Sequence, residues 1–170
     1  MEMMKSDLEA LKVAMATEKK GYNFYKETAD QVEPPEAQKM FLSLAQDEIQ
    51  HLHWLEAQEQ SLLKKGKWLA YEPPPQRAKA VEGLPIFSSE EVKKKIGQYR
   101  SELSALKLGL EMEESSRQLY LTAAAECLNE KGRAMFSHLA AWEKEHWELL
   151  KREYDFLMGE YKKSMGFEPF

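Results

Sequence analysis

Two glutamate–histidine pairs sit three residues apart in stretches that read as helix. Glu48 and His51 lie in AQDEIQHLHWL (Ala45–Leu55), and Glu143 and His146 in AAWEKEHWELL (Ala140–Leu150). Residues i and i+3 share a helix face, so each pair can reach one common point. Two more glutamates, Glu18 and Glu113, each lie 30 residues upstream of the glutamate of a pair. A lone carboxylate among apolar neighbours is costly and normally protonates. Four that converge also repel. Two divalent cations cancel four negative charges, and two neutral imidazoles add nitrogen ligands without adding charge. Four carboxylates and two imidazoles therefore suit a pair of iron or manganese ions with carboxylates bridging. The metals would supply redox chemistry, and the protein would fix geometry and exclude water.

The elements that must position these six residues are related by duplication. SDLEALK (Ser6–Lys12) is echoed by SELSALK (Ser101–Lys107), 95 positions later. The same offset pairs Glu18 with Glu113, Tyr25 with Tyr120, Met40-Phe41 with Met135-Phe136, Glu48 with Glu143 and His51 with His146, with no gap. Such a match indicates a repeated helix pair. In the first half, Ser6 is a candidate cap for a helix that runs to about Asp30. The prolines of VEPPE (Val32–Glu36) break it, and a second helix runs from Pro35 to Lys65. In the second half, one helix covers Ser101–Leu128. NEKG (Asn129–Gly132) is the expected turn, and the last helix continues to Gly159 or a little beyond. Residues 66–87 hold four of the seven prolines and show no clean periodicity. They read as a long crossover held by Trp68, Tyr71 and Phe87. Ser88 and Glu91 form a capping-box pattern that opens a short extra helix. The expected fold is all-α: a four-helix bundle of two hairpins joined by a long crossover, in a single domain over 1–170.

Helical spacing defines four apolar stripes. They are Leu8, Leu11, Met15, Glu18, Tyr22, Tyr25, Ala29; Phe41, Leu44, Glu48, His51, Leu55; Leu103, Leu106, Leu110, Glu113, Arg117, Tyr120, Ala124; and Phe136, Leu139, Glu143, His146, Leu150. Each is apolar at both ends and carries a carboxylate near its middle. The competing reading is a charged bundle with buried ion pairs, with Tyr25 and Tyr120 as plain core tyrosines. His53 and His138 lack carboxylate partners at this spacing and read as surface or packing residues. Trp142 and Trp147 read as packing residues flanking the second pair.

Composition narrows the class. Charged residues make up 31% of the chain, hydrophobic ones 43%, and no run of like charge occurs, which describes a soluble globular protein rather than a disordered one. A net charge of −5 without a basic face argues against nucleic acid. No apolar run reaches the ~18 residues of a membrane span. The N-terminus is too polar for a secretory signal, so a cytoplasmic location is expected. Cys127 is the single cysteine, which rules out a disulfide framework and a CxxC metal knuckle within the chain.

Glu18, Glu48, His51, Glu113, Glu143 and His146, with both Glu-x-x-His pairs in register, resemble the rubrerythrin branch of the ferritin-like superfamily. The resemblance covers nearly the whole chain apart from 66–99 and the tail. It implies that Glu48 and Glu143 bridge two iron ions, with manganese or zinc as substitutes, that Glu18 and Glu113 are terminal ligands, and that each histidine takes one metal. It also implies that Tyr25 and Tyr120 hydrogen-bond to the site carboxylates, and that the chain forms a homodimer. The implied activity is reduction of O2 or H2O2. The alternatives are iron handling of the ferroxidase type without a storage shell, and a structural module. The chain departs from the family twice. Full-length rubrerythrins carry a rubredoxin-like domain whose iron is held by four cysteines, so here an external redox protein must donate electrons. They also carry a glutamate three residues after the third-helix ligand that takes part in a redox-linked ligand switch, and here that position is Ser116.

Overall fold

The computed structural model describes residues 2–70, 85–88, 90, 94 and 99–166. Four long helices dominate them: α1 (Glu2–Gln31), α2 (Pro35–Lys65), α3 (Arg100–Glu126) and α4 (Glu130–Ser164). A short 3-10 turn, Ile86–Ser88, precedes α3. The helices form an all-α four-helix bundle. α1 packs on α2, α3 packs on α4, and α1 also meets α3.

The order of the core explains the connectivity. One apolar cluster gathers Tyr25 and Ala29 from α1, Phe41 and Leu44 from α2, Leu103 and Leu106 from α3, and Leu150 and Leu157 from α4. The other gathers Leu11, Leu55, Leu62, Tyr120, Phe136 and Leu139. Thus α2 leaves the first cluster for the second, and α3 starts again at the first. The two run parallel, so the return from the end of α2 to the start of α3 spans roughly 40 Å for helices of this length. Both ends of that return are pinned. Trp68 is buried in the second cluster and donates its indole N–H to Asp7 Oδ2 at 3.1 Å. Buried Gln58 exchanges hydrogen bonds with the backbone of Leu69, and Ser61 donates to the Lys67 carbonyl at 2.7 Å. At the far end Phe87 is fully buried, and the Ile86 N–H donates to Glu153 Oε2 at 2.7 Å. Tyr71 and the tail after Gly166 lie outside the described residues. So does most of the short helix expected after Ser88, of which Glu90 and Lys94 are helical.

Helix ends follow local chemistry. Pro34 and Pro35 stop continuation from α1 and start α2, where the missing N–H costs nothing. Gly66 closes α2 with φ of 62° and an N–H bond to the Leu62 carbonyl, a left-handed conformation that glycine adopts without a Cβ penalty. Two boundaries differ from the sequence reading. Ser6 caps nothing, because the helix already begins at Glu2 and contains it. The α3–α4 turn is earlier than NEKG: the Asn129 side chain accepts from the Lys131 N–H at 3.0 Å and caps α4, leaving Glu130, Lys131 and Gly132 inside the helix.

The apolar stripes are also displaced. On α1 the fully buried line is Leu11, Ala14, Glu18, Gly21, Tyr25, with Leu8, Met15 and Tyr22 on its shoulder. On α3, Gly109 and Ser116 are buried, whereas Leu110 is only partly buried and Arg117 turns outward to Glu114. A Cβ at Gly132 would lie 2.6 Å from Cys127 Sγ and 2.8 Å from the Trp68 ring. Gly132→Ala should therefore overpack this corner and lower unfolding stability by about 1–3 kcal/mol in urea denaturation. An unchanged urea midpoint would show that Trp68 gives way freely.

Candidate metal centre

Each helix is polar where the two apolar clusters leave a gap. α1 contributes Glu18, α2 Glu48 and His51, α3 Glu113, and α4 Glu143 and His146. All six are buried, with exposures from 0% (His51, Glu143) to 6% (His146). The i,i+3 spacing places each histidine beside the glutamate of its own helix, and the antiparallel hairpins bring the two pairs face to face. Their imidazole rings are near-parallel at 5.8 Å.

Two groups of atoms emerge, each within 4.8 Å throughout. One is Glu18, Glu48, His51 and Glu143, and the other is Glu48, Glu113, Glu143 and His146. Glu48 and Glu143 belong to both. His51 Nδ1 lies 3.3 Å from both Glu18 Oε2 and Glu143 Oε1. His146 Nδ1 lies 3.3 Å from Glu48 Oε1 and 3.5 Å from Glu113 Oε2. Yet Glu48 Oε1, Glu113 Oε2, both oxygens of Glu143, and His146 Nδ1 make no hydrogen bond. These atoms are close without being aligned on one another. Buried polar groups in folded proteins are nearly always satisfied, so this arrangement fits a pair of cations at the points on which the atoms converge.

The tyrosines tie the halves crosswise. Tyr25 on α1 donates to Glu113 Oε1 on α3, and Tyr120 on α3 donates to Glu18 Oε1 on α1. Both rings are buried. Burial and the adjacent carboxylates raise both phenols well above their ordinary value, so they remain donors.

Electrostatics divides the four carboxylates into two kinds. Burial, followed by the charges of Glu18, Glu143 and Glu113, raises Glu48 well above the usual carboxylate range. Glu143 is raised in the same way by burial and by Glu113 and Glu18. Burial also acts upward on Glu18 and Glu113, but the charge and hydrogen bond of His51 at Glu18, and the charge of His146 at Glu113, outweigh it and lower both. The imidazoles are raised despite burial, chiefly by Glu18 for His51 and by Glu113 for His146. Without a cation, therefore, protons take the place of positive charge.

Three residues near the site carried no signal in the reading of the sequence. Asp47 is buried beside Glu48 and places Oδ2 3.2 Å from His146 Nε2. Trp54 is half-buried, with its ring 5.6 Å from His51. Gly21 lies under Glu48, where a Cβ would approach Glu48 Oε2 to 2.7 Å and Cδ to 3.1 Å. Gly21→Ala separates two effects. Alanine favours a helix over glycine by about 1 kcal/mol, so the metal-free protein should melt no lower than wild type. The displaced Glu48 carboxylate should weaken divalent-metal binding by at least about 10-fold. Calorimetric titration beside a thermal melt checks both, and unchanged affinity would mean that Glu48 has room to move. His53 and His138 are exposed and stand apart from the site.

Among the described residues, no helix is long and apolar enough to cross a membrane. Comparison with curated proteins and with solved structures returned no match. The rubrerythrin family model matches residues 9–154, which takes in most of each of the four helices and all six clustered residues. The chain belongs to the rubrerythrin family of the ferritin-like superfamily.

Proposed function

We propose that the protein is a di-iron oxidoreductase that reduces O2 or H2O2 with electrons from a separate redox protein. The observation that carries this reading is the set of buried carboxylate and imidazole atoms that converge on two points, most of them without a hydrogen-bond partner. Glu48 and Glu143, common to both groups, would serve both metal positions. Glu18 and His51 would complete one position, and Glu113 and His146 the other. A bound iron pair supplies two electrons at one place, so H2O2 takes up two electrons and two protons to give two waters.

The chain's own part is binding, orientation and exclusion of water. The apolar clusters close the bundle above and below the site. Tyr25 and Tyr120 hold one oxygen each of Glu113 and Glu18, which keeps the other oxygen directed inward. Ser116 replaces the glutamate that rubrerythrins use in their ligand exchange. The exchange has no carboxylate here, so the ligand set should stay the same in both oxidation states. A ferroxidase that passes iron onward would use the same residues, but it would consume iron rather than recycle it.

The test is turnover. Iron-loaded protein, mixed with H2O2 or with air-saturated buffer and then with a chemical reductant, should consume oxidant over many cycles at constant bound iron. Release of ferric iron after a single cycle would favour iron handling, and no oxidant consumption would remove the enzymatic reading.

A further inference from the structure

The duplication is kept almost throughout the site: Glu18 with Glu113, Tyr25 with Tyr120, Glu48 with Glu143, His51 with His146. Behind the histidines it breaks. The residue before each shared glutamate is Asp47 in one half and Trp142 in the other. Asp47 is buried, and its Oδ2 lies 3.2 Å from His146 Nε2. His51 Nε2 is buried and has no hydrogen-bond partner. The Trp142 ring stands edge-on to His51 at 5.1 Å, and Trp54 packs against both rings. Gly21 against Ser116 is a second break, but it places no charge near either ring.

Both imidazoles turn Nδ1 toward the carboxylates, so Nε2 is the rear atom. A carboxylate that accepts the rear N–H fixes the tautomer that leaves Nδ1 free to ligate. It also orients the ring and raises the donor strength of Nδ1. His146 has that support, whereas His51 has an indole in its place. We infer that the two metal positions are unequal: the His146 position, backed by Asp47, binds a divalent cation more tightly and fills first. Asp47 is a positioning residue and Trp142 withholds the equivalent support from His51. The inference rests on the metal-binding reading of the site.

Two steps in a wild-type titration do not decide the matter, because adjacent cations repel even in identical positions. The deciding comparison is between His51→Gln and His146→Gln, each titrated anaerobically with Co(II) and followed by visible absorption and calorimetry. His51→Gln, which keeps the Asp47-backed position, should bind its remaining Co(II) about 10–100-fold more tightly than His146→Gln does. Adding Asp47→Asn to His51→Gln should erase that advantage. Trp142→Asp in the His146→Gln background should strengthen binding by giving His51 Nε2 an acceptor. Equal affinities in the two histidine variants would overturn the inference, as would an advantage that survives Asp47→Asn. If the wild type binds no Co(II), the metal-binding reading itself fails and this inference falls with it. Wild-type binding with matched variants leaves that reading standing and removes only the asymmetry. Helical circular dichroism on each variant separates lost affinity from lost fold.

Discussion

Glu143→Gln should stabilise the metal-free protein and abolish its response to metal. Glu143 is fully buried, and neither of its oxygens has a hydrogen-bond partner. Burial and the charges of Glu113 and Glu18 already force its carboxyl far upward. Glutamine has the same shape, cannot ionise, and has an amide that can donate to the surrounding carboxylates. The unfolded glutamate is ionised near neutral pH and must take up a proton to be buried here, whereas glutamine need not, so metal-free stability should rise by about 1–3 kcal/mol. The same change removes a ligand common to both positions. Loss of supporting hydrogen bonds alone weakens metal sites by about 10–100-fold, so loss of a shared ligand should exceed that. Wild type should gain about 4 kcal/mol when metal is present at ~1,000 times its dissociation constant, and the variant should gain almost nothing. Paired melts with and without metal read both effects. A variant that still responds to metal would remove Glu143 from the ligand set. One that is less stable without metal would mean that its carboxylate holds the bundle together.

The second large effect is a reversal of pH dependence on metal binding. Glu48, Glu143, His51 and His146 are all raised in the folded state. Such groups hold more protons when folded than when unfolded. Their contribution is complete below the unfolded values, 4.5 for the carboxyls and 6.5 for the imidazoles, and is lost as pH rises through the folded ones. Glu18 and Glu113 are lowered, so their contribution is lost only as pH falls below the ordinary carboxyl value of 4.5. Between about pH 5 and 8, metal-free stability should therefore decline, by about 1.4 kcal/mol per pH unit for each extra proton the folded state retains. Metal displaces those protons and binds better as pH rises, so the difference between loaded and metal-free protein should widen toward alkaline pH. Urea denaturation across that range checks the sign. A metal-free protein that gains stability toward pH 8 would contradict the protonation pattern.

Much of this was legible in the residues because duplication and helical spacing reinforce each other. Six ligand-type residues at one offset, in two identical intervals, remain visible even when the helix faces are drawn slightly wrong. The faces themselves are harder to read. Ala14, Gly21, Gly109 and Ser116 are small and carry little apolar signal, so the larger Met15, Tyr22 and Leu110 took their places in the stripes. Ser6 looked like a cap because serine at a helix start is favoured, but nothing before it prevents the helix from beginning at Glu2. Glu153 and Gln58 are polar residues on otherwise ordinary helix positions, and only the path of the crossover gives them their partners. Asp47 was hidden for a different reason. Next to a ligand on its own helix it points away from that ligand's face, and its contact with His146 arises only when α2 and α4 are packed together.

The central claim is that these six side chains hold a pair of metal ions. The most direct measurement is anaerobic titration of the metal-free protein with Fe(II), with bound iron counted per chain and repeated on Glu143→Gln. Two irons per wild-type chain and a near-complete loss of binding in the variant are expected. Binding of no iron by the wild type, or of equal iron by both proteins, would contradict that claim.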